Sequence, residues 1–240
     1  MVPVTYWMVT SMGISSTIAI KVSFGTTLLV VLPTAVSGAW RHTKKRAVHW
    51  KAALVLGPCG LIGALGGATL ATYLSGEILK AGFGGLVLVV ALWMALSIMP
   101  KLMRGEGELK YKSLSLAACG LPIGIVAGLT GIGGGALIVP TLVLAFSFPI
   151  HIAVGTALAS IIFTSLGGVI GYMVNGAGVP DLLPYSIGYV NLPIWLCLAA
   201  TSIPLAQLGS KASHALPAKQ LRYIFIAFMV YVGLRMLGVF

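Results

Sequence analysis

Between Ser113 and Pro180 the chain carries no Asp, Glu, Lys or Arg, and near the middle of that run stands GLTGIGGGALIVP (128–140). Gly131, Gly133, Gly134 and Gly135 each cost a helix interior about 1 kcal/mol relative to Ala. The strongest helix breaker therefore lies in the most apolar part of the sequence. Such a stretch cannot face water, because it has no charged side chains and few polar ones with which to do so. Irregular backbone at membrane depth persists only where protein buries it or a water-filled cavity solvates it. The run thus predicts a membrane-embedded chain whose helices are interrupted at a cavity.

Composition extends this to the whole chain. Of its 240 residues, 58% are hydrophobic and 8% charged, against about 25% charged in a soluble domain. Charge-free stretches at 22–40, 52–76, 81–100 and 182–210 approach or exceed the ~20 residues that cross a bilayer core. The start, MVPVTYWMV, has no basic region of the kind that opens a secretory signal. Cys59, Cys119 and Cys197 fall far apart in apolar segments without metal-ligand spacing, so core thiols are expected rather than a disulfide or a zinc site.

The net charge of +11 is distributed unevenly. Arg41, Lys44, Lys45, Arg46 and Lys51 share one loop, Lys101, Arg104, Lys110 and Lys112 a second, and Lys211, Lys219 and Arg222 a third. Segments 73–80 and 174–183 carry one lysine and none. That alternation is the positive-inside pattern, with 41–51, 101–112 and 207–219 cytoplasmic and 174–183 outside. The positive charge is thereby assigned to orientation and to the lipid bilayer, not to nucleic acid.

Two halves resemble one another. PTAVSG (33–38) matches FTSLGG (163–168), and Gly25-Thr26 matches Gly155-Thr156, both at an offset of 130. GEILKAGF (76–83) falls against AKQLRYIF (218–225) at 142, the change being an insertion around 176–188. Each half reads as three helices, at 17–40, 52–73 and 79–98, then at 150–173, 184–206 and 219–238. Loop 41–51 is cytoplasmic by charge, while its counterpart 174–183 is outside, so the repeats are expected to be inverted. The arms 113–130 and 136–148 keep that parity as two short spans or as a re-entrant hairpin entered from the cytoplasm, the hairpin being favoured. The second arm, at 1.5 Å per residue, spans only ~20 Å, short for a crossing.

The expected fold is therefore an all-α polytopic membrane protein of two inverted-topology helical repeats with glycine-rich broken or re-entrant helices. Residues 1–100 form the first repeat, N-terminally incomplete, 101–112 a cytoplasmic linker and 113–240 the second repeat. At the tip, the helix starting near Gly135–Ala136 offers unpaired backbone N–H groups and the positive end of its dipole, an anion site without a cationic side chain. Glycine allows close approach of a ligand to backbone, Thr130 can add a hydroxyl, and Pro140 frees a carbonyl near residue 136.

Alternatives fail on the residues. Gly131-x-Gly133-x-x-Ala136 fits a dinucleotide fingerprint, but the acid it needs about 20 residues later is absent, the next being Asp181. The GK[ST] ending of a phosphate-binding loop is missing. The predicted spans hold no Asp or Glu, which disfavours a cation substrate, and no cofactor or metal is expected. No acid, metal cluster or base–nucleophile spacing suggests an enzyme. Lys21 is expected to snorkel from its helix start, Arg235 to anchor at the interface, and Gly124, Gly128, Gly167 and Gly168 to serve helix packing. His42, His49 and His214 read as loop residues, and His151 as a helix-start residue.

GLTGIGGGALIVPTLV (128–143), AVGTALAS (153–160), TSLGG (164–168) and LRYIFIAFMVYVGLRML (221–237) resemble the TauE/SafE family, the sulfite-exporter-like membrane transporters. The resemblance covers nearly the whole chain and implies a transporter of small sulfur-containing or organic anions such as sulfite or organosulfonates, acting in the plasma membrane. It implies that Gly131, Gly133, Gly134, Gly135 and Pro140 are this chain's copy of the family's GxGGG-to-VP block. Gly155 and Thr156 then match a downstream AxGTS-like element, whose final serine is replaced in both halves (GTA, GTT). The family pattern has a glycine block in each half, whereas the first half here begins at Val2-Pro3, after where that block would end.

The expected function is alternating-access transport of a small anion. Thr130, Thr156, Thr164 and Ser165 are candidate hydroxyl ligands, with Gly25, Thr26 and Thr34 the first-half equivalents. A homo-oligomer is compatible with this. The competing class is a non-transporting membrane partner or a transporter fragment, suggested by the truncated first half.

Overall fold

The computed structural model describes residues 1–96, 113–180, 182–202 and 218–238. Helix α1 (Val2–Ser11) is followed by α2 (Ser16–Lys44), α3 (Trp50–Tyr73), α4 (Gly76–Leu96), α5 (Ser113–Thr130), α6 (Gly135–Leu144) and α7 (Ile150–Asn175). A short hairpin of β1 (Ser186–Ile187) and β2 (Val190–Asn191) leads into α8, described over Leu192–Ser202, and α9 (Ala218–Met236) completes the order. Among the described residues five helices, α2, α3, α4, α5 and α7, are long and apolar enough to cross a membrane. The protein is an all-α membrane protein.

Side chains at the helix ends supply what the backbone lacks there. Ser15 accepts the N–H of Ile18 at 3.5 Å to open α2, and His49 Nδ1 accepts that of Ala52 at 3.2 Å to open α3. Asn191 Oδ1 accepts the N–H of Ile194 at 2.9 Å, the same service for α8. The helices pack through small residues rather than through hydrophobic contrast, which lipid does not provide. Along α5, Gly120, Gly124 and Gly128 lie against Leu56, Gly60 and Ala64 of α3 so closely that an added Cβ would strike backbone. Numbers rise together on the two helices, so α5 runs parallel to α3.

Helices α2 and α7 pack antiparallel. Gly38 lies on Leu158, Leu28 on Gly168, and Phe24 edge-on to Tyr172 at 6.5 Å. One end of the bundle gathers the 42–49 segment and the start of α7, where the ring of His49 stands edge-on to Phe148 at 5.6 Å. The other end gathers the start of α2, the α3–α4 turn and the β-hairpin. There Lys21 meets Thr72, Gly76 meets Thr17, and Gly176 meets Tyr189. Segments 41–51 and 174–180 are thus at opposite ends. Helix α5 starts at the first end, beside the start of α3, and α6 returns toward it, closed by Phe148 N–H to Leu142 O at 3.0 Å.

Three expectations change. Helix α1 was not anticipated, because an apolar stretch as short as residues 2–11 reads equally well as an irregular lead-in. The helix expected from 184 begins at Leu192, since Tyr185 and Gly188 take positive φ (59° and 56°) and turn the chain into the hairpin. Lys21 does not snorkel. It is 6% exposed, and its Nζ donates to Thr72 O at 2.6 Å, in the last turn of α3. The unpaired carbonyls and negative dipole end of a helix C-terminus attract an ammonium. Segments 101–112 and 203–217, including most of two predicted cytoplasmic loops, lie outside the described residues.

A glycine tip held by α7 and a hydroxyl left over

The tip between α5 and α6 is built by three left-handed demands within four residues. Gly131, Gly133 and Gly134 have φ of 67°, 82° and 83°, a region that costs other residues roughly 1–2 kcal/mol. The first N–H groups of α6 follow at once. Gly134 caps the helix without a side chain, and its carbonyl receives the N–H of Leu137 at 3.0 Å and of Ile138 at 2.9 Å. Gly135 and Ala136 have no intrahelical carbonyl to receive their N–H groups.

The tip rests where α2 and α7 cross. Gly131 lies on Phe24, with a built Cβ only 2.7 Å from its Cα, and Gly135 on Ile161 at 2.9 Å. A Cβ on Gly133 would stand 3.1 Å from Val31 and 3.2 Å from Ser165 Oγ. Thr164 Oγ1 donates to Gly133 O at 2.8 Å, tying the tip to α7. The adjacent Ser165 Oγ is fully buried and has no hydrogen-bond partner among the described residues. A buried unpaired hydroxyl costs about 1–3 kcal/mol. An oxyanion at the tip would accept from this hydroxyl and from the α6 N–H groups together.

The other predicted ligands are engaged within their own helices or placed elsewhere. Thr130 Oγ1 donates back to Val126 O at 2.7 Å, and Thr34 Oγ1 donates to Val31 O at 2.7 Å on an exposed stretch of α2. Pro140 lies inside α6. Thr156 Oγ1 accepts the N–H of His49 at 3.0 Å, and Thr26 Oγ1 accepts the N–H of Asn191 at 3.1 Å. Gly155 lies against Ala47 O, and a Cβ on Gly25 would stand 2.7 Å from Tyr189 O. These four residues dock the caps of α3 and α8. The structure brings Gly131, Gly133, Gly134, Gly135, Thr164 and Ser165 together, and keeps Gly25, Thr26, Gly155 and Thr156 at the two ends of the bundle.

The end contacts are reciprocal. Offset 130 takes Gly25, Thr26 and Leu28 to Gly155, Thr156 and Leu158; offset 142 takes Ala47 and His49 to Tyr189 and Asn191. Each contact on one side has its mate on the other, the mate of Gly38 on Leu158 being Gly168 on Leu28. Residues that sequence reasoning missed are Phe24 beneath Gly131 and Tyr172, whose Oη donates to Gly128 O at 2.9 Å. Tyr172 has no local signal; it becomes visible only once α5 and α7 are packed. Among the described residues no cluster of His, Cys, Asp or Glu could hold a metal.

Comparison with known proteins agrees in kind. The family model described as Sulfite exporter TauE/SafE matches residues 1–236. The "Probable membrane transporter protein MJ0441" of Methanocaldococcus jannaschii is 33% identical over 220 residues, covering 91% of this chain and 79% of that protein. A "Probable membrane transporter protein" of Haemophilus influenzae is 29% identical over 238 residues, 98% of this chain and 88% of its own length. YunE of Bacillus subtilis, also named a probable membrane transporter protein, is 28% identical over 83% of this chain and 72% of its own. No solved structure is a significant match.

Proposed function

Because this chain belongs to the TauE/SafE family of membrane transporters, we propose that it carries a small oxyanion across the plasma membrane by alternating access. Sulfite and organosulfonates are the substrates that fit the resemblance. The single observation that carries the reading is Ser165, a fully buried hydroxyl without a partner beside the Gly133–Gly135 tip. Together with the first N–H groups of α6 it makes a donor-only site with no cation, suited to a small anion that must also leave.

The mechanism rests on two inverted repeats. What supports them is the antiparallel packing of α2 on α7 and the reciprocal contacts of their glycines and threonines. A rocking motion of one repeat against the other would expose the tip first to one face and then to the other. The α5–α6 hairpin is read as re-entrant, with both ends on the cytoplasmic side and its tip near the membrane midplane. Orientation follows the basic 41–51 segment.

Counterflow of radiolabelled sulfite in proteoliposomes of the purified chain tests this. Expected is uptake that other small oxyanions inhibit and neutral isosteres do not. Equal inhibition by a neutral isostere, or no counterflow from folded protein, would overturn it.

A further inference from the structure

The C-terminal half of α2 borders an apolar groove of about 520 Å³ lined by Leu29, Leu32, Pro33, Val36, Trp40 and Trp195. Its existence follows from one residue. Pro33 has no N–H, so the Leu29 carbonyl one turn earlier loses its helical partner, and Trp195 Nε1 of α8 donates to it at 3.2 Å. Where the second half has Phe163, packed on Gly57, the first half has this proline and an open trough.

Its length and its mouth specify an occupant. From Leu29 to Trp40 the helix rises about 16 Å, close to half of the ~30 Å hydrocarbon core. Trp40, 65% exposed, lies at the upper end with Lys44 Nζ 5.3 Å from its ring centroid. Arg41, Lys44 and Lys45 follow directly, all exposed. Glu77, the acid among the described residues, opens α4 at the opposite end of α3. One leaflet's length of apolar trough therefore runs into a patch of cations that no described carboxylate neutralises. We propose that this groove is a binding site for one anionic phospholipid of the cytoplasmic leaflet, its acyl chain along Pro33 and Trp195 and its phosphate at Arg41, Lys44 and Lys45.

Tryptophan fluorescence in proteoliposomes reads this directly. A variant carrying Trp7→Phe, Trp50→Phe and Trp93→Phe keeps Trp40 and Trp195 as reporters. In phosphatidylcholine vesicles, replacing one fifth of the lipid with brominated phosphatidylglycerol is expected to quench at least twofold more than the same fraction of brominated phosphatidylcholine. The excess should fall to parity in Arg41→Gln/Lys44→Gln/Lys45→Gln, on filling the trough with Val36→Phe, and, without any further mutation, in 0.5 M salt. A control that keeps only Trp93, on α4, should show no excess. Equal quenching by the two lipids, an excess that survives loss of the charges, or the same excess at Trp93 would overturn the proposal.

Discussion

Thr26 Oγ1 accepts the backbone N–H of Asn191 at 3.1 Å. Asn191 caps α8, so a hydroxyl in one half of the chain completes the helix start of the other. The mate of this contact, Thr156 with His49 at 3.0 Å, does the same for α3. Both hydroxyls are fully buried, where an orphaned N–H would be costly. Two threonines that sequence spacing marks as ligands are thereby committed to holding the halves together.

Thr26→Val and Thr156→Val should each lower stability by about 1–3 kcal/mol, the cost of a buried N–H left unpaired. The two losses should be of similar size, because the contacts are reciprocal. Thermal unfolding in detergent measures both, and the Ser variants should recover most of the loss. A threonine whose valine variant unfolds like wild type is not a docking residue.

Ser165→Ala should act in opposite directions on folding and on transport. Removing an unpaired buried hydroxyl should leave the unfolding temperature unchanged or raised, whereas losing a donor to an anion should weaken substrate binding by about 1.5–3 kcal/mol. Unfolding scans together with concentration dependence of counterflow separate the two. Unchanged affinity would place the substrate elsewhere.

Gly134→Leu should abolish transport while the protein still inserts. A Cβ there meets side-chain atoms no closer than 3.3 Å, but the φ of +83° and the added bulk disturb the tip itself. Gly128→Leu should instead prevent folding, since its Cβ would strike Ala64 O on α3. Size-exclusion profiles and counterflow on both variants check the contrast; normal transport by Gly134→Leu would remove the tip from the site.

Trp195→Phe should destabilise by about 1 kcal/mol by leaving Leu29 O unpaired. Pro33→Ala restores the helical N–H to that carbonyl, so in its presence Trp195→Phe should cost almost nothing beyond lost packing. A double-mutant cycle on unfolding temperature gives the coupling; strict additivity would show that the two residues do not share this carbonyl.

Cysteines at Lys44 and Gly178, placed one at a time in a Cys-free background, should react with an impermeant maleimide from opposite faces of the membrane. Lys44 should label from the cytoplasm. Labelling of both from one face is the outcome the inverted arrangement cannot accommodate.

Much of this was legible in the residues. GIGGG inside a charge-free run marked a broken helix at 131–134 and placed α6 to within a residue of its start at Gly135. Clustered cations separated the two ends of the bundle, and the offsets of 130 and 142 paired Thr26 with Thr156 before any contact was known. Local chemistry suffices there, because solvent, backbone conformation and duplication all act on neighbouring residues. What tertiary structure alone decided is which polar groups are engaged. Thr164 and Ser165 are adjacent and chemically alike, yet one donates to Gly133 O and the other is left without a partner. Lys21 finds a carbonyl at Thr72, and Trp195 one at Leu29. Such partners depend on how far each helix is rotated about its axis and where it crosses the next. A rotation of one residue, about 100°, would exchange a ligand for a strut without changing composition, hydropathy or repeat spacing.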